Sequence, residues 1–193
     1  MEAEGSALEV EIKLYVGSLE EAAARLARLG ATLEEDRRFE DNDVFDTPDG
    51  RLARQDSLLR LRVVGGRGTM THKMKVATEM RAKVREEVQT SVGSPDALRE
   101  ILSKVGFVRV YRYQKYRSYH AWTDPESGSK LCISLDDTPI GVYIELEGDK
   151  SAIDHAAGRM GYAENDYIVD DYRTLHLAWL EKRGLPAGDM VFT

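Results

Sequence analysis

The chain contains only one cysteine, Cys132, and four scattered histidines among its 193 residues. A single cysteine cannot form a disulfide within the chain, which is typical of proteins from a reducing compartment. The histidines show none of the short spacings found in zinc sites. Residues 1–30 do not resemble a signal peptide, and no apolar run approaches the roughly 18 residues of a membrane-spanning helix. We therefore expect a cytoplasmic protein with no membrane partner and no zinc.

Positive charge is also in short supply. Lys and Arg number 27 against 34 Asp and Glu, giving a net charge of −7, whereas nucleic-acid-binding domains are usually basic. We expect no nucleic-acid partner, although a local basic cluster can still bind a small anion. The length suits one domain over residues 1–193, with a core at about 8–183 and a loose tail at 184–193. The expected assembly is a monomer or a homodimer.

Four segments are predicted to be helices because they carry start and stop signals. Ser18 and Ser94 are predicted caps of the first two helices, and Gly30 and Gly106 are predicted to end them. The four predicted ranges are 18–30, 94–106, 151–161 and 171–183.

The first two helices belong to an internal repeat. Residues 11–30 resemble residues 87–106 at a constant offset, with Glu11 matching Glu87. Each half therefore begins with an acidic strand followed by a serine-capped helix. Two equivalent halves of this kind suit a pseudo-symmetric barrel.

Short stretches of alternating polarity predict eight strands between the helices. Turn sequences rich in Gly, Pro and Asp separate several of them. The predicted ranges are 9–16, 41–47, 58–64, 70–76, 83–92, 110–122, 130–137 and 141–148.

Along most of these strands, one face is charged and the other is apolar. Residues two apart in a strand share a face, so Glu9, Glu11 and Lys13 alternate with Val10 and Ile12. Ordinary solvent-facing strands mix Ser, Thr, Gln and Lys, whereas these faces carry almost only Arg, Lys, Glu and Asp. The amphipathic helices need apolar surface, which the other strand faces supply. We therefore predict an α+β fold: a closed eight-stranded antiparallel barrel with helices outside and charges inside.

The predicted lumen carries charges of both signs. Its acids are Glu9, Glu11, Glu87, Asp136, Glu145 and Glu147, and its bases are Lys13, Arg60, Arg62, Lys73, Lys75, Arg85, Lys115 and Arg117. Enclosing so many charges typically costs several kcal/mol per ion, which indicates a ligand that completes the network. Bases on separate strands suit an extended anion such as a phosphate chain. Oxygen-only acids suit Mg²⁺ or Mn²⁺. A structural lattice of salt bridges remains the alternative.

Seven elements of the sequence, in order, resemble the CYTH or triphosphate tunnel superfamily. Glu9-x-Glu11-x-Lys13 is similar to the ExExK signature of that superfamily, and residues 43–62 are similar to its FDTPD and LRLR segments. The remaining matches are Lys75, Arg85-x-Glu87, Lys115-x-Arg117, Leu135-Asp136 and Glu145-x-Glu147-Gly148. Two departures are Gln89, where many members have an acid, and Val76-Ala77, where many have Gly-Pro.

The resemblance implies an enzyme with a small-molecule triphosphate substrate. It implies that Glu9, Glu11, Glu145 and Glu147, with Asp136 and Glu87, bind Mg²⁺ or Mn²⁺. It also implies that Lys13, Arg60, Arg62, Lys75, Lys115 and Arg117 bind phosphates, with Arg85 assisting. Of these, Glu9, Glu11, Lys13, Arg60, Arg62 and Lys75 are the predicted catalytic residues.

The resemblance leaves the reaction open. The superfamily includes inorganic tripolyphosphatases, thiamine triphosphatases and class IV adenylyl cyclases, and a non-catalytic polyphosphate-binding module is a further alternative. We expect hydrolysis, because the assigned inward positions offer little apolar lining to select adenine. Tyrosines that share the inward parity keep cyclisation of ATP to cyclic AMP as the alternative. These are Tyr15, Tyr111, Tyr113, Tyr119 and Tyr143.

Overall fold

An eight-stranded antiparallel sheet forms the centre of the molecule. The computed structural model describes residues 8–79 and 82–193, except for the side chains of residues 8–9, 75–79 and 82–85. The strands are β1 (Leu8–Val16), β2 (Thr32–Asp46), β3 (Ser57–Val64), β4 (Arg67–Glu79), β5 (Ala82–Val92), β6 (Val108–Thr123), β7 (Lys130–Thr138) and β8 (Gly141–Glu147).

The strands are paired in the order β1-β5-β4-β3-β2-β6-β7-β8. Through residues 8–11 β1 pairs with β5, and through residues 11–16 it pairs with β8. The predicted α+β class, with eight antiparallel strands, is confirmed. The largest difference is in β2, which begins nine residues before its predicted start at Asp41 (41 − 32).

The described residues include five α-helices beside the sheet: α1 (Leu19–Leu29), α2 (Arg51–Arg54), α3 (Pro95–Lys104), α4 (Lys150–Arg159) and α5 (Tyr172–Glu181). The two predicted serine caps are confirmed, because Ser18 caps α1 and Ser94 caps α3, each through its hydroxyl. Helix α4 was predicted to start at Ser151 and starts at Lys150. Asp149 caps this helix by accepting from the backbone N–H groups of Ser151 and Ala152, since its carboxylate reaches both groups at the first turn.

The apolar faces of β1, β7 and β8 form the main core against α1 and α4. Ile12, Leu14, Ile144 and Leu146 are fully buried there. Burying an aliphatic side chain typically contributes about 1.5–3 kcal/mol, so this layer stabilises the sheet strongly. A smaller cluster packs α3 on β2 and β3. The predicted arrangement, with helices on the apolar strand faces, is therefore present.

The predicted loose tail is attached to β6 through Asp189, Met190 and Phe192. Met190 is 1% exposed, and its N–H and C=O groups bond to Arg112 and Gln114 of β6 at 2.9 and 2.8 Å. The tail can bond to β6 here because β7 pairs with β6 only from Tyr116 onward. Among the described strands, none pairs with the preceding residues of β6 on that side. No helix within the described residues is both long enough and apolar enough to cross a membrane.

Asp46, the first aspartate of the FDTPD segment, has a structural role at the end of β2. It is a buried residue at the end of β2, and its carboxylate accepts from the backbone N–H groups of Thr47, Leu52 and Ala53 at 2.7–3.0 Å. Burial tends to raise the pKa of Asp46, but these hydrogen bonds outweigh it and lower the pKa. The carboxylate therefore fixes α2 to the end of β2.

We expect Asp46→Asn to lower the free energy of unfolding by about 1–2 kcal/mol, because an amide cannot accept all three bonds. The lowered pKa means that the carboxylate stabilises the fold above the ordinary Asp pKa and loses this effect as the pH falls through the folded-state value. The difference from wild type in urea unfolding should therefore shrink below about pH 4. Exposed Asp36→Asn, on the same strand, is the control, and an equal loss in both variants would contradict this role.

Candidate functional site

The charged strand faces line a cavity of about 640 Å³ inside the sheet. Most of the predicted site residues contribute to its wall: Glu11, Lys13, Arg60, Arg62, Lys73, Glu87, Lys115, Arg117, Glu145 and Glu147. Asp136 is fully buried behind the wall. The side chains of Glu9, Lys75 and Arg85 lie outside the described residues.

Strands β1 and β8 form the acidic side of the cavity. Glu11 lies directly opposite Glu147, and Lys13 lies opposite Glu145. Lys13 donates a hydrogen bond to Glu11, and its Nζ lies 3.4 Å from Glu145 Oε1. Burial and the charge of Glu145 tend to raise the pKa of Glu11, but Lys13 holds it below its ordinary value. Lys13 thus helps to keep both neighbouring carboxylates ionised.

Asp136 is the centre of a buried hydrogen-bond network. Its Oδ2 accepts from Lys115 Nζ at 3.0 Å and from the Tyr172 hydroxyl at 2.5 Å, and Arg117 binds both of its oxygens at 2.5 Å. Arg117 also donates to Glu145. Burial opposes ionisation of Glu145, yet Arg117, Lys13 and Lys115 hold its pKa well below the ordinary value. The network therefore ties β6, β7, β8 and α5 together.

Lys73 of β4 lines the cavity. It pairs with Glu87 on β5, which lies directly opposite. The resemblance pointed to Lys75 instead. Because Lys73 lines the cavity and the side chain of Lys75 lies outside the described residues, Lys73 is the β4 lysine that can be placed in the site.

Arg60 and Arg62 differ from the other lumen bases. Arg60 Nη1 donates to the Tyr113 hydroxyl and Arg62 Nη1 to the Tyr119 hydroxyl, each at 3.2 Å. Among the described lumen bases, only these two lack a hydrogen bond to a carboxylate. The carboxylate that pairs with Arg62 is Glu40, whose Oε1 lies 3.7 Å from Arg62 Nη1. A tyrosine hydroxyl orients a guanidinium without cancelling its charge. These two arginines therefore present most of their positive charge to the cavity.

Three buried polar residues in this region were missed from the sequence: Glu40, Asn42 and Thr71. Each is no more than 1% exposed, and each has a side-chain oxygen that bonds to no described residue. Glu40 and Asn42 lie on β2, where residues 40–43 are polar on both faces. Alternation therefore gives no signal there, and no motif marks Glu40.

One end of the cavity carries a group of apolar side chains among polar ones, which corrects the expectation of little apolar lining. Its wall there includes Val44, Leu58, Val110, Tyr111 and Leu177. The prediction was wrong because it considered strand interiors alone. The apolar positions come from strand ends and from α5, which packs across this end through Tyr172.

The predicted metal ligands do not form a complete cluster among the described side chains. Within that set, no three His, Cys, Asp or Glu residues are grouped so that they could hold a metal ion. The described carboxylates next to each other are Glu11, Glu145 and Glu147, on β1 and β8. Glu9, two residues before Glu11, completes the predicted set but has no described side chain.

A family model for the CYTH domain matches residues 7–171. The chain belongs to the CYTH domain family. A protein of Methanocaldococcus jannaschii that bears the name putative adenylate cyclase is 28% identical over 182 residues, covering 92% of this chain and 99% of that protein.

Two solved structures support the CYTH fold of this chain. A putative adenylate cyclase from Vibrio parahaemolyticus has a TM-score of 0.71 at 19% identity, covering 90% of this chain and 99% of that one. A putative adenylyl cyclase from Hippeastrum has a TM-score of 0.61 at 17% identity, covering 93% and 97%. At these identities the similarity concerns the fold alone.

We expect Arg60→Lys and Arg62→Lys each to lower kcat/KM for a triphosphate by at least about tenfold. Lysine keeps the charge but cannot offer the planar fork that binds two phosphate oxygens, and tenfold corresponds to about 1.4 kcal/mol of transition-state binding. Exposed Arg51→Lys on α2 is the matched control and should leave the kinetics unchanged. Wild-type kinetics in both cavity variants would show that these arginines are structural.

Proposed function

We propose that this CYTH protein hydrolyses a triphosphate, with Mg²⁺ or Mn²⁺, inside a closed tunnel formed by its eight strands. The observation that carries this proposal is the pair Arg60 and Arg62, whose guanidinium groups face the cavity and bond to tyrosine hydroxyls rather than carboxylates. A phosphate chain would supply the missing negative charge.

The remaining bases would hold the same chain at other points. Lys13, Lys73, Lys115 and Arg117 already share carboxylates inside the cavity, so they are held in place before the ligand arrives. Groups that need no rearrangement stabilise developing charge most effectively. The arginines would bind phosphate oxygens through paired N–H groups, and the lysines would act as point charges.

The acidic side of the cavity fits a hard divalent cation. Glu11 and Glu147 are opposed across β1 and β8 and offer oxygen donors alone, which suit Mg²⁺ or Mn²⁺. Glu145 and, from the resemblance, Glu9 would complete the set. A bound cation would offset the repulsion between these acids and the phosphate charges. We assign Asp136 to positioning Lys115 and Arg117, because its oxygens are already bonded to them.

Cyclisation of ATP is the second candidate, and the apolar end of the cavity favours it. Val44, Leu58 and Tyr111 would give a nucleobase or another organic group a surface to pack on. The same surface suits hydrolysis of an organic triphosphate. One solved relative, from Hippeastrum, is described as a putative adenylyl cyclase that reveals a dominant triphosphatase activity, and so combines both reactions in its description.

Product analysis distinguishes these reactions. Purified protein would be incubated with tripolyphosphate, thiamine triphosphate or ATP, with Mg²⁺ or Mn²⁺, and the products separated by chromatography. Orthophosphate release supports hydrolysis, whereas cyclic AMP and pyrophosphate as main products would establish the cyclase. Binding of these compounds without turnover would reject both reactions in favour of a polyphosphate-binding module.

We expect excess EDTA to abolish turnover of every triphosphate, and added Mg²⁺ or Mn²⁺ to restore it. The reason is that acids and phosphates would otherwise share one cavity without cations between them. Phosphate release is the readout, with circular dichroism in EDTA as the control for folding. Full turnover in EDTA would contradict the metal requirement.

A further inference from the structure

Behind the basic wall of the cavity lies Glu40, a carboxylate on β2 directly opposite Lys115 of β6. It is 1% exposed. Its Oε1 lies 3.7 Å from Arg62 Nη1 and its Oε2 lies 3.8 Å from Lys115 Nζ. Both distances exceed those of hydrogen bonds, and neither oxygen bonds to any described residue.

The neighbours of Glu40 give their hydrogen bonds to other groups. Lys115 donates to Asp136 at 3.0 Å, and Arg62 donates to the Tyr119 hydroxyl at 3.2 Å. Asp136 therefore holds Lys115 and Tyr119 holds Arg62 by direct bonds, whereas Glu40 acts on both bases through charge alone. Asp136 and Glu40 are therefore both buried next to the basic wall, but only Asp136 is hydrogen-bonded to it.

Glu40 is ionised, although it is buried. Burial raises its pKa, but Lys115, Arg117, Arg62 and Arg60 together hold the pKa below the ordinary value. The interaction is reciprocal. The cations stabilise the negative charge of Glu40, and this negative charge in turn reduces the positive potential of the cations in the cavity.

We propose that Glu40 is a positioning residue that acts as a fixed counter-charge for the phosphate cradle. It holds Arg62 and Lys115 at the wall when the cavity is empty, and it weakens their attraction for polyphosphate so that anionic products can leave. This inference rests on the proposed function. It predicts that removing the charge strengthens binding, whereas the loss of a purely structural contact weakens it.

Two substitutions on β2 change the charge next to the basic wall in opposite directions. Glu40→Gln keeps the shape and removes the charge. Asn42→Asp adds a charge on the same inward face, directly opposite Arg62, at a residue whose Oδ1 bonds to no described residue. Asp43→Asn is the control, because Asp43 is a buried carboxylate on the outward face of β2 that pairs with Arg99 and Arg109.

Isothermal titration in MgCl₂ with a tripolyphosphate analogue whose bridging oxygens are replaced by NH groups, so that it resists hydrolysis, measures the effect. We expect Glu40→Gln to lower Kd by at least about fivefold, Asn42→Asp to raise it by at least about fivefold, and Asp43→Asn to leave it unchanged. The unliganded Glu40→Gln variant should melt below wild type, since the lowered pKa shows that the ionised group stabilises the fold at neutral pH. The analogue should then raise its Tm by more than it raises that of wild type.

Steady-state kinetics supply a second readout. Glu40→Gln should lower KM and kcat together, because product is retained, while a structural defect would lower kcat without lowering KM. Unchanged or weaker binding by Glu40→Gln overturns the role of Glu40. If that variant does not fold, unchanged affinity in Asn42→Asp overturns it. The titration is repeated with thiamine triphosphate and with ATP. If wild type binds none of these triphosphates, the proposed function itself is rejected, and this inference with it.

Discussion

The rest of this structure depends on one constraint, which is the enclosure of several lysine and arginine cations inside a sheet. Bringing an ion out of water costs several kcal/mol unless partners replace the water, and the Asp136 network provides those partners. Asp136 binds Lys115, Arg117 and Tyr172, and Arg117 extends the network to Glu145. Without that carboxylate, two cations would be buried side by side. The network is thus a condition for having a basic wall at all.

The alternation of the strands places this network and the core on opposite faces of the same sheet. On β1, Ile12 and Leu14 pack under α1 and α4, while Glu11 and Lys13 face the cavity. A register shift of one residue would exchange these two sets. Folding and site assembly therefore depend on the same register, and the large cost of exposing the apolar set keeps the charged set in place.

The sequence predicted the eight strands and most of the cavity wall because the wall residues alternate with Val, Ile and Leu. That signal fails where both faces of a strand are polar, as in residues 40–43 of β2, so Glu40 went unnoticed. It also fails for contacts between distant segments. Alternation describes strands only. It gives no signal for the attachment of Met190 to β6 or for the hydrogen bond from Tyr172 to Asp136, because Met190 and Tyr172 lie outside the strands. Hydrogen-bond partners, such as Tyr113 for Arg60, likewise follow from the packing of separate strands.

Helix α5 connects the phosphate-binding part of the cavity to its apolar end. Its first residue, Tyr172, donates to Asp136 and lies under the ammonium groups of Lys13 and Lys115, 5.5 and 5.1 Å from the ring centre. Burial and Asp136 raise the pKa of Tyr172 well above its ordinary value, so its hydroxyl remains a donor. One turn and a half further, Leu177 lines the apolar end. The element that shapes the space for an organic group is therefore bonded to the network that orders the bases.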